Sequence, residues 1–340
     1  MRRCALLPAS LSRVAGVALL LAGLLHAAPA WAETVKVSYP DLTGSLLFLF
    51  TAVDKGYYAA EGIEPELVEA GGGVATPALI SGDLSFSTSG STAISAILKG
   101  ARLKVLLVGQ DRPDWQLWAT KPNITRFEDL KGQQVGIISR GDTGEIALRY
   151  LLKLRKLPDD YIAFTPFGSS QNARLAIIAS GSLPASLIHP ADVDMLKSMG
   201  GMKSAHLLID TADAVRSTFN GLATSDALIK SKPDLVQRFV RATMKGMAYV
   251  RLHREPSIAR FVKDLKATPE GAAQGYDQLR PLMAETGTIA PEAQATELSL
   301  RGDMLTIAAD KLPPPASVFD FRFADKVSAQ FKAEGWIPAP

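Results

Sequence analysis

The sequence predicts an α/β fold of two hinged lobes, each a mainly parallel sheet flanked by helices, followed by a helical C-terminal region. Three observations carry this. Strand-like and helix-like segments alternate from Val35 onward; the alternation breaks off over residues 111–122 and starts afresh near Gln134; and from Pro233 the pattern is almost wholly helical. Alternation of that kind builds a mainly parallel sheet covered on both faces.

Residues 35–39 (VKVSY) alternate apolar and polar and read as the first strand. A loop over 40–44 leads into an apolar helix at 45–54, closed by GYYAAEG, and 63–69 (IEPELVE) alternates again. Gly71, Gly72 and Gly73 then form a turn before a short helix at 76–81 that stops at Gly82. The next stretch, 84–108, organises the chain: a strand at 84–88, a small polar turn at Ser89 and Gly90, a helix at 91–98 and a strand at 103–108. Serine and threonine at such a turn cap a helix whose first N–H groups lack intrahelical partners, and the small residues let another molecule approach the backbone. A strand end running into a polar helix start is where open α/β sheets bind ligands. Taken alone, the stretch reads equally well as a capped helix with no ligand.

The segment DRPDWQLWATKP (111–122), with two prolines and two tryptophans, interrupts the pattern. A second series follows, with strands at 134–139 and 162–166, helices at 143–154 and 172–179, and short strands at 187–189 and 207–209. Residues 219–224 read as a second crossover. The lobes expected are therefore 33–113 with 220–340, and 114–219. Two crossovers between two lobes make a hinged clamshell, for which closure on a ligand is the natural motion. Pro256, Pro269 and Pro291 mark helix starts beyond Pro233, Pro313 to Pro315 end that series, and a last helix is expected over 324–334.

Residues 1–32 read as an export signal: Arg2 and Arg3 at the start, an apolar run over 14–25, and Ala30-Trp31-Ala32 as a cleavage site after Ala32. The run is shorter than the roughly 20 residues of a membrane span, and Cys4, ahead of the apolar core, is badly placed for lipidation, so a released, soluble protein is expected. The full chain has 37 Lys+Arg and 34 Asp+Glu; removing Arg2, Arg3 and Arg13 with the signal leaves 34 of each. A formal charge near zero argues against nucleic acid or an anionic membrane as partner. Cys4 is the only cysteine, so the mature chain has no thiol catalysis, disulfide or cysteine zinc site.

The runs DKGYYAAEGIEPELVEAGGG and ALISGDLSFSTSGSTAISAILKGARLKVLLVG, then FEDLKGQQVGIISRGDTGEIALRYLL and STFNGLATSDALIKSKPDLVQRFVRATMKGMAYV, resemble the extracytoplasmic substrate-binding proteins of bacterial ABC importers. Within these the chain is most similar to the nitrate/sulfonate/taurine group, which shares its fold with thiamine-pyrimidine synthases. The resemblance covers most of residues 35–255. It implies a periplasmic-binding-protein clamshell of type II-like form and a monomer that hands a small-molecule ligand to a permease in the inner membrane.

In a clamshell the ligand lies where loops of both lobes face each other. From the first lobe the candidates are Tyr39, Asp41 and Thr43 after strand one, the turn at Ser89, Gly90, Ser91 and Thr92, and Gln110 with Arg112; from the second, Arg140, Gly141, Asp142, Thr143 and Gly144, then Ser169, Ser170 and Gln171, and His189. Arg112 and Arg140 can hold a carboxylate or sulfonate through paired bonds, or be solvated loop charges. They lean the expectation toward a small organic anion. Asp142 also reads as an N-cap that occupies a positive helix end and so weakens anion binding there. His189 either lines the cleft, as the resemblance implies, or is a buried histidine satisfied by backbone. Trp115 and Trp118 either stack on a ligand or pack between the lobes.

No catalytic set emerges. His189, His206 and His253 lack metal-ligand spacing, no G-x-S-x-G elbow is present, and the glycine turn has neither the GxxxxGK[ST] nor the GxGxxG form. The pyrimidine synthases of this fold carry a cysteine-rich motif that this mature chain lacks. A binding protein with no cofactor and no metal is expected, the alternatives being a sensory module feeding a membrane receptor and a secreted enzyme on the same fold.

Overall fold

The computed structural model describes residues 32–339 apart from 169, 199, 202–204 and 216. The expected signal segment, except Ala32, and the candidate Ser169 lie outside the described residues. Ten strands form two five-stranded sheets. The first, in the order β2-β1-β3-β10-β4, contains β1 (Glu33–Tyr39), β2 (Ile63–Glu69), β3 (Phe86–Ser87), β4 (Leu103–Val108) and β10 (Gly221–Ser225). The second, in the order β7-β6-β8-β5-β9, contains β5 (Gln116–Ala119), β6 (Gln134–Ile137), β7 (Ala163–Pro166), β8 (Ala185–Ile188) and β9 (His206–Asp210).

Each sheet is mixed rather than purely parallel. β1 runs parallel to β2 and β3, but β10 returns from the second sheet and inserts antiparallel between β3 and β4. β5 does the same in the second sheet, lying antiparallel between β8 and β9. The segment 111–122 is therefore not simply irregular. Its prolines, at 113 and 122, flank the strand rather than interrupt it, and Leu117 and Ala119 are buried. The glycine turn is also part of an element, since the helix Gly72–Ser81 starts on it.

The first sheet packs on the helix Leu47–Asp54 and the long helix Pro233–Leu252. Apolar residues of that long helix recur at three- and four-residue spacing: Leu235, Val236, Phe239, Val240, Met244, Met247 and Val250 are buried. Phe239 stacks on Phe86 with ring centroids 4.0 Å apart, and each such buried side chain contributes about 1.5–3 kcal/mol. Gly246 allows the two helices to touch, because a Cβ there would lie 2.2 Å from the carbonyl oxygen of Phe48. The second sheet has its own core around Leu117, Val135, Leu148, Leu151 and Leu187. None of the described helices is long and apolar enough to cross a membrane.

Candidate functional site

The C-terminal ends of strands from both sheets open onto one cleft. The first lobe supplies Pro40, Asp41 and Thr43 after β1, Thr88 and Ser89 after β3, the start of the helix Gly72–Ser81, and Ser91 and Thr92 at the start of the helix Gly90–Leu98. The second supplies Ile138, Ser139, Asp142 and Thr143 after β6, His189 after β8, and Trp115 ahead of β5; Phe219 and Asn220 close the floor on the crossover into β10. The space between these walls is about 70 Å³.

A buried ion-pair chain spans this cleft. Arg174, on the helix Gln171–Ser180 of the second lobe, is 1% exposed. Its Nη1 donates to Asp41 Oδ2 of the first lobe at 2.9 Å, and its Nε to Asp192 Oδ2 at 3.1 Å. Asp192 is further held by Gln171 Nε2 at 2.9 Å and the His189 backbone N–H at 3.3 Å. Burial works against the guanidinium's charge, but Asp192 and Asp41 more than offset it, so Arg174 titrates above its ordinary value. Burial dominates at Asp41 and raises its carboxyl despite His189 and Arg174.

His189 is the second junction. Its ring stacks on Trp115 at 3.8 Å and its Nδ1 lies 3.2 Å from Asp114 Oδ1. Burial opposes protonation, yet the Asp114 carboxylate leaves the imidazole above its ordinary range. Trp115 Nε1 donates to Thr143 Oγ1 at 3.1 Å, so this tryptophan, one of the two weighed for stacking, packs on protein partners within the second lobe and still lines the cleft. Phe219 sets its edge against both rings. Asp142 caps the helix Thr143–Leu154, accepting from the Glu145 and Ser139 N–H groups at 2.7 Å each. Burial pushes its carboxyl up to about 6 in spite of those bonds.

Of the candidates, Asp41, Thr43, Ser89, Ser91, Thr92, Asp142, Thr143 and His189 come together in the wall. Gly90 lies just behind it, packed on the Gly221 backbone, and Gly144 sits against Leu187. Gln110 is under the floor, its Oε1 accepting from Asn220 Nδ2 at 2.8 Å. Tyr39 turns its ring edge-on to Phe50. Gln171 reaches the ion-pair chain rather than the cleft, Ser170 is an exposed residue ahead of its helix, and the Gly141 N–H donates to Glu145 at 2.6 Å.

The two arginines have other partners. Arg112 donates to the Pro281 carbonyl at 2.7 Å and pairs with Asp111; it borders a separate cavity of about 200 Å³ that shares His189 with the cleft. Arg140 donates to the Phe164 carbonyl at 2.8 Å and approaches Glu145. The residues missed were Arg174, Asp192 and Asp114, the ionic frame behind the wall. Their signal is faint: one arginine in the small-residue run QNARLAIIAS, and an aspartate three residues after His189.

No group of three or more His, Cys, Asp or Glu among the described residues is arranged to hold a metal ion. A family model described as NMT1/THI5 like matches residues 44–256. The chain belongs to the NMT1/THI5-like family. This member is 28% identical over 209 residues to the riboflavin-binding protein RibY of Chloroflexus aurantiacus, a match spanning 58% of the chain and 57% of that relative's length. Its fold is also that of the periplasmic aliphatic sulphonate binding protein SsuA of Escherichia coli, with a TM-score of 0.64 at 19% identity over 85% of this chain and 92% of the other. The desulfurization enzyme DszB, solved with biphenyl-2-sulfinic acid, shares the fold at a TM-score of 0.59 and 18% identity, covering 88% and 99%. The fold is thus shared with a periplasmic binding protein and with an enzyme.

Proposed function

We propose that this protein is the solute-binding component of an ABC importer, acting in the periplasm as a monomer after cleavage at Ala32. A small organic molecule enters the cleft, the lobes 33–113 with 220–340 and 114–219 close about the two crossovers, and the closed form is handed to a permease in the inner membrane. One observation carries the reading: the cleft is walled by strand ends of both sheets and bridged by the buried Asp41–Arg174 pair. Such a bridge holds two lobes together without any bond that a hinge motion must break covalently.

The organic anion expected from Arg112 and Arg140 has no support from their positions, since both are engaged away from the cleft wall. A sensory module would use the same clamshell, and capture of a permease rather than a receptor by the closed form separates the two. An enzyme on this frame would turn a ligand over; the present reading expects recovery of every ligand unchanged.

The test is a thermal-shift screen of the purified protein followed by small-angle scattering. A solute at about 100 times its Kd adds roughly 2.7 kcal/mol of stability, and its radius of gyration should stay at or below that of the free protein. A library without a single stabilising solute would sink the proposal.

A further inference from the structure

Among the described residues that line the cleft none is a lysine or an arginine, and their ionisable side chains are Asp41, Asp142 and His189. The Arg174 guanidinium does not line the cleft and pairs with Asp41 and Asp192. His189 is matched by Asp114. Among the described residues Asp142 has no cation bonded to its carboxylate, whose partners are the backbone N–H groups of Glu145, Ser139 and Gly144. The second-lobe wall is thus an acceptor surface with surplus negative charge.

The facing wall is of the opposite kind. The helices Gly72–Ser81 and Gly90–Leu98 both begin at the cleft, with no acidic residue in the first turn and no side-chain cap bond. They adjoin, since a Cβ on Gly72 would lie 2.6 Å from the Thr92 side chain. Their first N–H groups need acceptors. Between them Ser89, which is buried, has an Oγ without a hydrogen-bond partner among the described residues. A ligand that satisfies both walls must accept hydrogen bonds at one end and donate them at the other.

We infer that the cleft takes a solute without net negative charge, neutral or zwitterionic, whose acceptor group meets Ser89 and the two helix starts and whose N–H or ammonium group meets Asp142. This rests on the solute-receptor reading. A second carboxylate or sulfonate charge brought beside Asp142 and Asp41 meets repulsion in a poorly solvated space, where no mobile cation screens it. The acceptor end alone favours an anion; the donor end decides against one that lacks a compensating cation.

Shape-matched pairs of different charge test this directly: nicotinamide with nicotinate, taurine with ethanesulfonate, and 4-aminobutyrate with its N-acetyl derivative, placed in the thermal-shift library and followed by calorimetry. In a responding pair the member without the net negative charge, or with the added cation, should bind at least about tenfold tighter. Asp142→Asn keeps a good N-cap and should narrow that ratio by about tenfold, while Ser89→Ala should weaken both members several-fold. Equal or tighter binding of the anionic members overturns the charge inference and leaves the receptor reading standing. No stabilising solute of any charge overturns the receptor reading and this inference with it.

Discussion

Two arginines are buried to the same degree in this protein and do different work. Arg174 and Arg301 are each 1% exposed. Arg301, on the helix Pro291–Met304, pairs with Glu297 one turn earlier and donates to Ser95 and Ser91 of the helix Gly90–Leu98. Glu297 in turn accepts from Ser217 Oγ at 2.8 Å and the Thr218 N–H at 3.0 Å on the crossover. The partners of Arg301 itself, Glu297, Ser91 and Ser95, all lie within the residues assigned to the first lobe, so lobe motion does not separate them from its guanidinium. Arg174 joins one lobe to the other. The same chemistry serves as a rivet in one place and a latch in the other, because a buried charge has no escape to water unless its surroundings part.

That difference fixes the largest expected effect. Arg301→Met leaves Glu297 buried without its cation and with nowhere to go, so stability should fall by about 3–5 kcal/mol in a denaturant melt. The scattering profile of the remaining folded protein should be unchanged. A loss under about 1 kcal/mol would show that Glu297 finds water or a proton easily, and would end the comparison.

Arg174→Met is the matched case. Asp41 can regain water if the lobes part, and Asp192, which stays buried in the second lobe, keeps the Gln171 amide and the His189 N–H as donors, so a smaller loss of about 1–3 kcal/mol is expected, together with a larger radius of gyration and weaker ligand binding. A variant as compact as the parent would mean that other contacts hold the cleft shut and that the pair is no latch.

How much of this was legible beforehand follows from the range of the interactions. Local ones wrote themselves into the sequence: the alternation of VKVSY, the glycine ending a helix at Gly82, Asp142 ahead of Thr143 as an N-cap. So did the strand-end loops, which brought eight candidates into one wall. Partners more than a hundred residues apart did not. Asp41 and Arg174 are separated by 133 positions, and nothing near either residue names the other. Arg112 and Arg140 misled for the complementary reason. A charged loop residue looks free in sequence, and only the fold brings the Pro281 and Phe164 carbonyls to them. Likewise β5 hid behind its flanking prolines, because four residues are too few for alternation to outweigh them.

Between the latch and the surface charges stands Asp142, half-buried and with no described cation bonded to its carboxylate. Burial is the first cause of its raised carboxyl, the nearby Glu145 carboxylate adds to it, and the N–H groups of Glu145, Ser139 and Gly144 oppose it. The folded protein holds this proton more tightly than the unfolded chain. Its contribution to stability is therefore complete below about pH 3.8 and lost as pH rises through about 6, a change of about 3 kcal/mol over the window. Asp142→Asn removes the titration and keeps a capping oxygen. Melts from pH 4 to 7.5 should show the variant gaining on the parent as pH rises, by about 1–2 kcal/mol at the top after the weaker neutral cap is allowed for. Parallel pH profiles would mean that Asp142 is better solvated than its burial implies.

Arg140→Ala completes the series at its weak end. The Arg140 side chain is 58% exposed and 3.5 Å from Glu145, whereas Glu145 is already gripped by Arg149 at 2.7 and 2.9 Å and by the Gly141 N–H. Removing the outermost of several partners from a screened position should change stability by no more than about 0.5 kcal/mol and ligand affinity by less than about twofold. The sign matters as much as the size. If the bound solute carried a net negative charge and drew Arg140 in from the rim, the alanine variant would lose about tenfold or more in affinity. If the solute is neutral or zwitterionic and meets Asp142, loss of a nearby positive charge leaves its binding unchanged or slightly improves it. Calorimetry on this one variant therefore separates a rim arginine that only decorates the entrance from one that the closing lobes recruit.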